Sequence, residues 1–322
     1  MKSLRLILMG TGPFAVPAFE SLRRSRHEIV GVVTKPEPPI KSRKGPPPAP
    51  VRTWAGQNDL QIYDPQSINS PDAVELLQQL RGDLLVVCDY GQILKPEPLS
   101  SAPLGGINLH GSLLPKFRGA APVQRALLEG ELETGVTVIH MTPKLDGGPI
   151  VGTRTATILD TETAGELEDR LSQLGVELVG ESIEQICEWD GETALGAPQD
   201  ASQVTRAPRL SKQEADIDFS KSARELSCHV RGMQPWPIAF THLPIREDKP
   251  PLRLAVLEVC SSEASTEGLE PGQILGGKQL AVACGDAAVE LVRVRPAGKR
   301  EMTGEEFMRG YQLQRGTRFV PA

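Results

Sequence analysis

The stretch Leu4–Thr34, LRLILMGTGPFAVPAFESLRRSRHEIVGVVT, decides the fold. Its short apolar run LRLILMG reads as a buried strand, FAVPAFESLRRS as a helix and EIVGVVT as a second strand. A strand, a helix and a strand in that order form the unit from which parallel sheets are built. The alternation continues with DAVELLQQL as a helix, DLLVVCD and GGINLH as strands, and APVQRALLEG as a helix closed by Gly130. GVTVIHM and PIVGTRTATI add strand-like runs around the turn KLDGG. Residues Glu162–Trp189 then read as a long amphipathic helix with Leu167, Leu171, Leu174, Leu178 and Ile186 on its apolar side. The expected fold is α/β, a doubly wound Rossmann-like domain, in which ligands bind beyond the carboxyl ends of the strands.

A chain of 322 residues exceeds the usual size of one core, so a second, smaller domain is expected. The stretch DGETALGAPQDASQVTRAPRLS is rich in Gly, Pro, Ser and Asp and reads as a linker crossing a surface. Beyond it ARELSCHVRGM is helical, and LRLAVLEVC, GQILG, QLAVACG and AVELVRVRP are short strands at regular spacing, which suggests a small β-barrel or sandwich. The division is therefore a catalytic domain over 1–190, a linker over 191–209 and a mainly β, OB-like barrel over 210–322. No apolar run reaches the ~20 residues that span a bilayer, and MKSLRLILMG is too short for a secretory segment, so a cytoplasmic protein is expected. The five scattered cysteines lack the spacing of a zinc site, and no metal is expected. Up to Thr205 there are 18 basic and 26 acidic residues, and after it 17 and 15, so the second part permits a local nucleic-acid footprint without demanding one.

Gly10-Thr11-Gly12-Pro13-Phe14-Ala15 fits the dinucleotide pattern G-x-G-x-x-[GA], which raises a nicotinamide oxidoreductase as one reading. Pro13 removes an amide donor from that turn, and Thr34 and Lys35 stand where the second strand should end in an acid, so a tight strand-to-helix turn fits better. Asn108 and His110 lie two residues apart at a strand end, on one face. Such a pair alone is more often a satisfied polar pair than a catalyst. Asp146, in the turn KLDGG, changes the balance, because an amide donor, an imidazole and a carboxylate together can stabilise an oxyanion, move a proton and orient its carrier. Ser112 lacks the glycine pattern of a nucleophile elbow, so transfer to an external nucleophile suits the set better than a covalent enzyme intermediate. Lys35–Pro50, KPEPPIKSRKGPPPAP, has seven prolines and the cations Lys35, Lys41, Arg43 and Lys44 against Glu37 alone: a stiff basic loop on the same rim.

The segment NLHGSLLPKFRGAAPVQRALLEGELETGVTV, followed by KLDGG, closely resembles the 10-formyltetrahydrofolate-dependent formyltransferases. GTGPFAVPAFESL, YGQIL, LSKQEADIDFS, PWP and PAGKREM extend the resemblance over most of the chain. The basic loop and the second domain point to the branch that acts on methionine esterified to initiator tRNA. The resemblance implies that Asn108 donates to the formyl oxygen, that His110 carries the proton and that Asp146 orients it. It places 10-formyltetrahydrofolate against Ser112, Leu113, Leu114 and Pro115 with the backbone of Gly91, Gln92 and Ile93. Contact with initiator methionyl-tRNA is expected from Lys41, Arg43, Lys44, Lys116 and Arg118 and from the second domain, in a monomer. Asp89 stands where relatives commonly carry alanine. Rival readings are a formyltransferase of the same superfamily acting on an amino-sugar nucleotide, and a tRNA-binding protein without catalysis.

Overall fold

The computed structural model describes residues 2–37, 49–191, 193, 195–245 and 250–321. The chain divides into two compact units, one made of Met1–Pro122, Glu133–Thr157 and Glu168–Pro208, the other of Val123–Leu132, Ile158–Leu167 and Arg209–Ala322.

In the first unit, β1 (Arg5–Gly10), β2 (Glu28–Val33), β3 (Ile62–Tyr63), β4 (Leu84–Cys88) and β5 (Gly106–His110) run parallel. After β6 (Arg118–Gly119), β7 (Glu133–His140) and β8 (Ile150–Thr157) join antiparallel to one another, β7 pairing with β5. The order β3-β2-β1-β4-β5-β7-β8 reverses direction between β1 and β4, the doubly wound arrangement expected from the opening stretch. Every residue of β4 is buried, which is why it reads as a continuous apolar run and not as an alternation. Helices α1 (Val16–Arg23), α2 (Pro50–Gln57), α3 (Pro71–Leu80) and α4 (Pro96–Leu99) belong to this unit, α5 (Pro122–Leu128) counts with the second after Pro122, and the long α6 (Ala164–Glu188) counts with the second up to Leu167 and with the first from Glu168. Of the leucine stripe, Leu167, Leu171, Leu178 and Ile186 are fully buried and Leu174 is half-buried.

The stretch read as a linker runs along the first unit with regular hydrogen bonds. Ala197 and Ile150 exchange backbone bonds of 2.8 and 2.7 Å, and β9 (Arg206–Ala207) pairs in parallel with β6. Gly119 makes that pairing possible: at its φ of +135° a Cβ would sit 2.5 Å from the Ala207 carbonyl oxygen.

The second unit holds α7 (Ala223–Gly232), β10 (Phe240–Leu243), β11 (Leu252–Ser262), β12 (Ala281–Ala283), β13 (Ala288–Pro296), β14 (Met302–Thr303) and α8 (Gly304–Tyr311). The antiparallel order is β10-β11-β13-β12, with β14 on β13. Its two edges are linked through single bridges, His242 to Val320, Gln273 to Arg318 and Ile274 to Val282, so the sheet curls round into a barrel-like form. GQILG thus supplies bridges and not a full strand. Helix α8, absent from the sequence reading, starts on a capping box in which Thr303 and Glu306 bond each other's backbone amides.

Candidate active site

Strand β5 delivers Asn108 and His110 to one face because successive side chains alternate: Ile107 and Leu109 fill the core on the other side. Opposite His110 on β7 stands Thr137, fully buried. Its hydroxyl donates to the Ser112 carbonyl at 2.7 Å and accepts the Leu114 amide at 3.1 Å, pinning the chain that leaves the strand. That chain passes a cis Leu114–Pro115 peptide and a left-handed Phe117 before entering β6. The Phe117 carbonyl thereby comes within 2.9 Å of His110 Nε2. A carbonyl can only accept, so Nε2 keeps its hydrogen and Nδ1 is the nitrogen left with a lone pair in the neutral ring.

His110 Nδ1 faces Asp146 Oδ2 at 3.9 Å, with the imidazole 6% and the carboxylate 13% exposed. The same Oδ2 accepts the Gly119 amide at 2.8 Å. Asp146 itself is left-handed, φ +47°, in the tight turn between β7 and β8. That turn closes on Gly148, where a Cβ would lie 1.9 Å from the His140 carbonyl oxygen. The pieces that the sequence separates by up to 38 residues thus come to one strand end: a half-buried carboxamide, an imidazole of defined tautomer and a carboxylate. Together they can stabilise an oxyanion and carry a proton. Among the described residues no group of three His, Cys, Asp or Glu side chains is placed to hold a metal.

The glycine turn after β1 serves a different purpose from a phosphate cradle. Thr11 donates its amide to the Asp89 carbonyl at 3.0 Å and its hydroxyl to the Tyr90 carbonyl at 3.1 Å, bracing the loop after β4. The Asp89 carboxylate lies over Gly12, 1.7 Å from where a Cβ would be, so negative charge occupies the place a pyrophosphate would need. Behind it, burial, then Asp89 and then Asp169 push the Glu168 carboxyl up to about 7. Burial, followed by Asp89 and Glu168, also raises the Cys88 thiol well above its ordinary range.

The expected folate residues follow two neighbouring strands, β4 and β5, and so share one rim. Gly91 is exposed and left-handed, φ +72°; Gln92 is held by the Ile68 amide and the Ile93 carbonyl by Asn69. Ile93 presents its side chain to solvent and Leu113 packs on Gly135, with Pro115 half-buried beside it. Ser112 and Leu114 are buried, and the Ser112 hydroxyl donates to the Lys116 carbonyl at 2.7 Å, so these two brace the loop and do not face outward. Apolar walls with backbone groups between them suit a flat, polar-edged pterin ring.

Of the residues expected at tRNA, Lys41, Arg43 and Lys44 lie outside the described residues, and Lys116 is exposed. Arg118 is a correction. It is only 4% exposed, and its guanidinium donates to Gln199 Oε1 from Nε at 3.1 Å and from a terminal nitrogen at 2.6 Å, so it belongs to the wall of the site and not to a basic face. Burial and then Arg206 lower its pKa, while Asp146 opposes them. Sequence reasoning missed Thr137, Gly119, Gln199 and the Phe117 carbonyl, because each acts through backbone groups that nothing in the sequence marks.

Residues 1–183 match the formyl transferase family and residues 209–312 its C-terminal domain. The methionyl-tRNA formyltransferase of Rhodopirellula baltica is 55% identical over 325 residues, covering 99% of this chain and 97% of the relative. That of Methylococcus capsulatus is 39% identical, covering 96% and 98%. Among solved structures, the N-formyltransferase of Helicobacter canadensis, in complex with folinic acid and dTDP-3-aminofucose, shares the fold at a TM-score of 0.64 and 17% identity, over 89% of this chain and 98% of that one. With both modules matched in order and close relatives matched end to end, the chain belongs to the formyl transferase family, among the methionyl-tRNA formyltransferases.

Proposed function

We infer that the chain transfers the formyl group of 10-formyltetrahydrofolate to the amino group of methionine on initiator methionyl-tRNA, the modification that readies it for translation initiation in the cytoplasm. The observation that carries the chemistry is the placement of His110 Nδ1 opposite Asp146 at 3.9 Å with Nε2 committed to the Phe117 carbonyl. The folate supplies an activated formyl group. Asn108 donates from its amide to the formyl oxygen as the methionine amine adds to the carbon and the C=O pair moves onto oxygen. His110 takes the proton released by the amine at Nδ1 and returns it to the departing folate nitrogen as the old C–N bond breaks. Asp146 stabilises the imidazolium between those two events. The rim of Gly91, Gln92, Ile93, Leu113 and Pro115 would hold the pterin, and the basic loop from Lys35 the end of the acceptor stem.

The test is incubation with labelled 10-formyltetrahydrofolate and three acceptors: charged initiator tRNA, charged elongator methionine tRNA and an amino-sugar nucleotide. Label on the methionine of the initiator alone is the expected result. Label on the sugar nucleotide and none on tRNA would overturn the reading.

A further inference from the structure

We propose that Gln199 is a positioning residue for the formyl-transfer site, a clamp that holds the Asp146 turn in register with His110. Its carboxamide makes four hydrogen bonds within the first unit. The amide nitrogen donates to the Asp146 carbonyl at 2.8 Å and to the Gly148 carbonyl at 2.7 Å. The amide oxygen accepts the two bonds from Arg118. Two hydrogens and two lone pairs are all that a primary amide offers, so every position is filled. The orientation is not interchangeable either: carbonyls only accept and a guanidinium only donates, so each end of the amide has one place to be.

The consequence for chemistry follows from what the two ends hold. One end grips the carbonyls of a left-handed Asp146 and of Gly148 just after it, a conformation that persists in a non-glycine residue only when its surroundings over-determine it. The other end grips Arg118, whose neighbour Gly119 donates to the Asp146 carboxylate. Gln199 therefore ties the turn that carries the carboxylate to the loop whose Phe117 carbonyl sets the imidazole. Asp146 and His110 come from segments that share no direct hydrogen bond between their side chains, since 3.9 Å is too long for one. Their separation is set by these backbone anchors. Glutamate at this position would turn acceptors toward two carbonyls, and a shorter side chain could not span both groups.

This inference rests on the proposed roles of His110 and Asp146. The test compares Gln199→Met, which keeps length and removes all four bonds, with the double variant Arg118→Met/Gln199→Met, which also removes the buried guanidinium that the single change would leave short of partners. Steady-state kinetics with charged initiator tRNA, kcat against pH and Tm are measured for each, beside Asp146→Asn. The expected result is a loss in kcat approaching ~10²-fold in both Gln199 variants. The pH profile of kcat should come to resemble that of Asp146→Asn, and the double variant should regain Tm without regaining kcat. Recovery of kcat together with Tm in the double variant would show a merely structural role. Parent-like kinetics in the Gln199 variants while Asp146→Asn is impaired overturns the clamp alone; full activity of Asp146→Asn removes the catalytic reading and the clamp with it.

Discussion

His110 and Asp146 face each other across 3.9 Å while each is anchored elsewhere, the imidazole by its Nε2 on the Phe117 carbonyl and the carboxylate by the Gly119 amide. At that distance, nearly enclosed, the two side chains face each other without a hydrogen bond between them. The arrangement suits a carrier that must both take up and release a proton in one cycle.

Asp146→Asn keeps shape and removes the negative charge. Most activity should be lost, because in the proposed mechanism the carboxylate orients the imidazole and balances its charge while it carries the proton. The measurement is kcat against pH; an unchanged profile at high activity contradicts the role.

In the proposed mechanism Asn108 supplies the side-chain donor that meets the developing oxyanion beside His110. Asn108→Ala should lower kcat by ~10²–10³ while tRNA affinity stays near the parent's. Comparable turnover in the two proteins would dismiss the oxyanion role.

Glu168 makes stability depend on pH. Its folded pKa, raised to about 7, exceeds the ordinary carboxyl value of about 4.3, so the folded state holds the proton more tightly than the unfolded one. Stability is therefore greatest at low pH on this account and is lost as pH rises through the folded value. Glu168→Gln, neutral throughout, should be more stable than the parent at about pH 8, by on the order of a few kcal/mol at most, and close to it at about pH 5. Urea unfolding at both pH values checks this, and a difference of equal size at the two would count against it.

Gly119 sits where a methyl group would strike the Ala207 carbonyl. Gly119→Ala should cost about 1–3 kcal/mol from the left-handed backbone position alone. It should also weaken catalysis, because the amide that holds Asp146 moves with it. Parent-like Tm and kcat would show that the β6–β9 pairing tolerates the change.

Arg43 and Lys44 test the basic loop. Replacing both with alanine should weaken use of charged initiator tRNA, lower the slope of log binding constant against log salt by about 1 for each phosphate contact removed, and spare folate affinity. Unaltered kcat/KM across a salt series would shift tRNA recognition to Lys116 and the second domain.

The βαβ rhythm was legible because buried parallel strands such as Leu84–Cys88 leave unbroken apolar runs, and because helix α6 leaves a stripe at the helical period. Asn108 and His110 were legible as a pair, since strand alternation forces positions i and i+2 onto one face whatever the rest of the fold does. The second unit was read less well. GQILG has the composition of a strand, yet it forms only bridges to Arg318 and Val282, and α8 is announced by its Thr303 cap and not by an apolar run.

Local periodicity, turn chemistry and residue type thus determined from the sequence alone that this is a doubly wound α/β domain followed by a small β domain, with a candidate acid–base set at one strand end. Only the tertiary structure decided which His110 nitrogen is free, that Arg118 is walled in and that Gln199, read as part of a linker, holds the Asp146 turn. Those facts depend largely on side chains that meet backbone carbonyls and amides 7 to 88 residues away, such as His110 with Phe117, Gln199 with Asp146 and Thr205 with Phe117. Every residue carries the same backbone groups, so nothing in a side-chain alphabet marks which of them will meet.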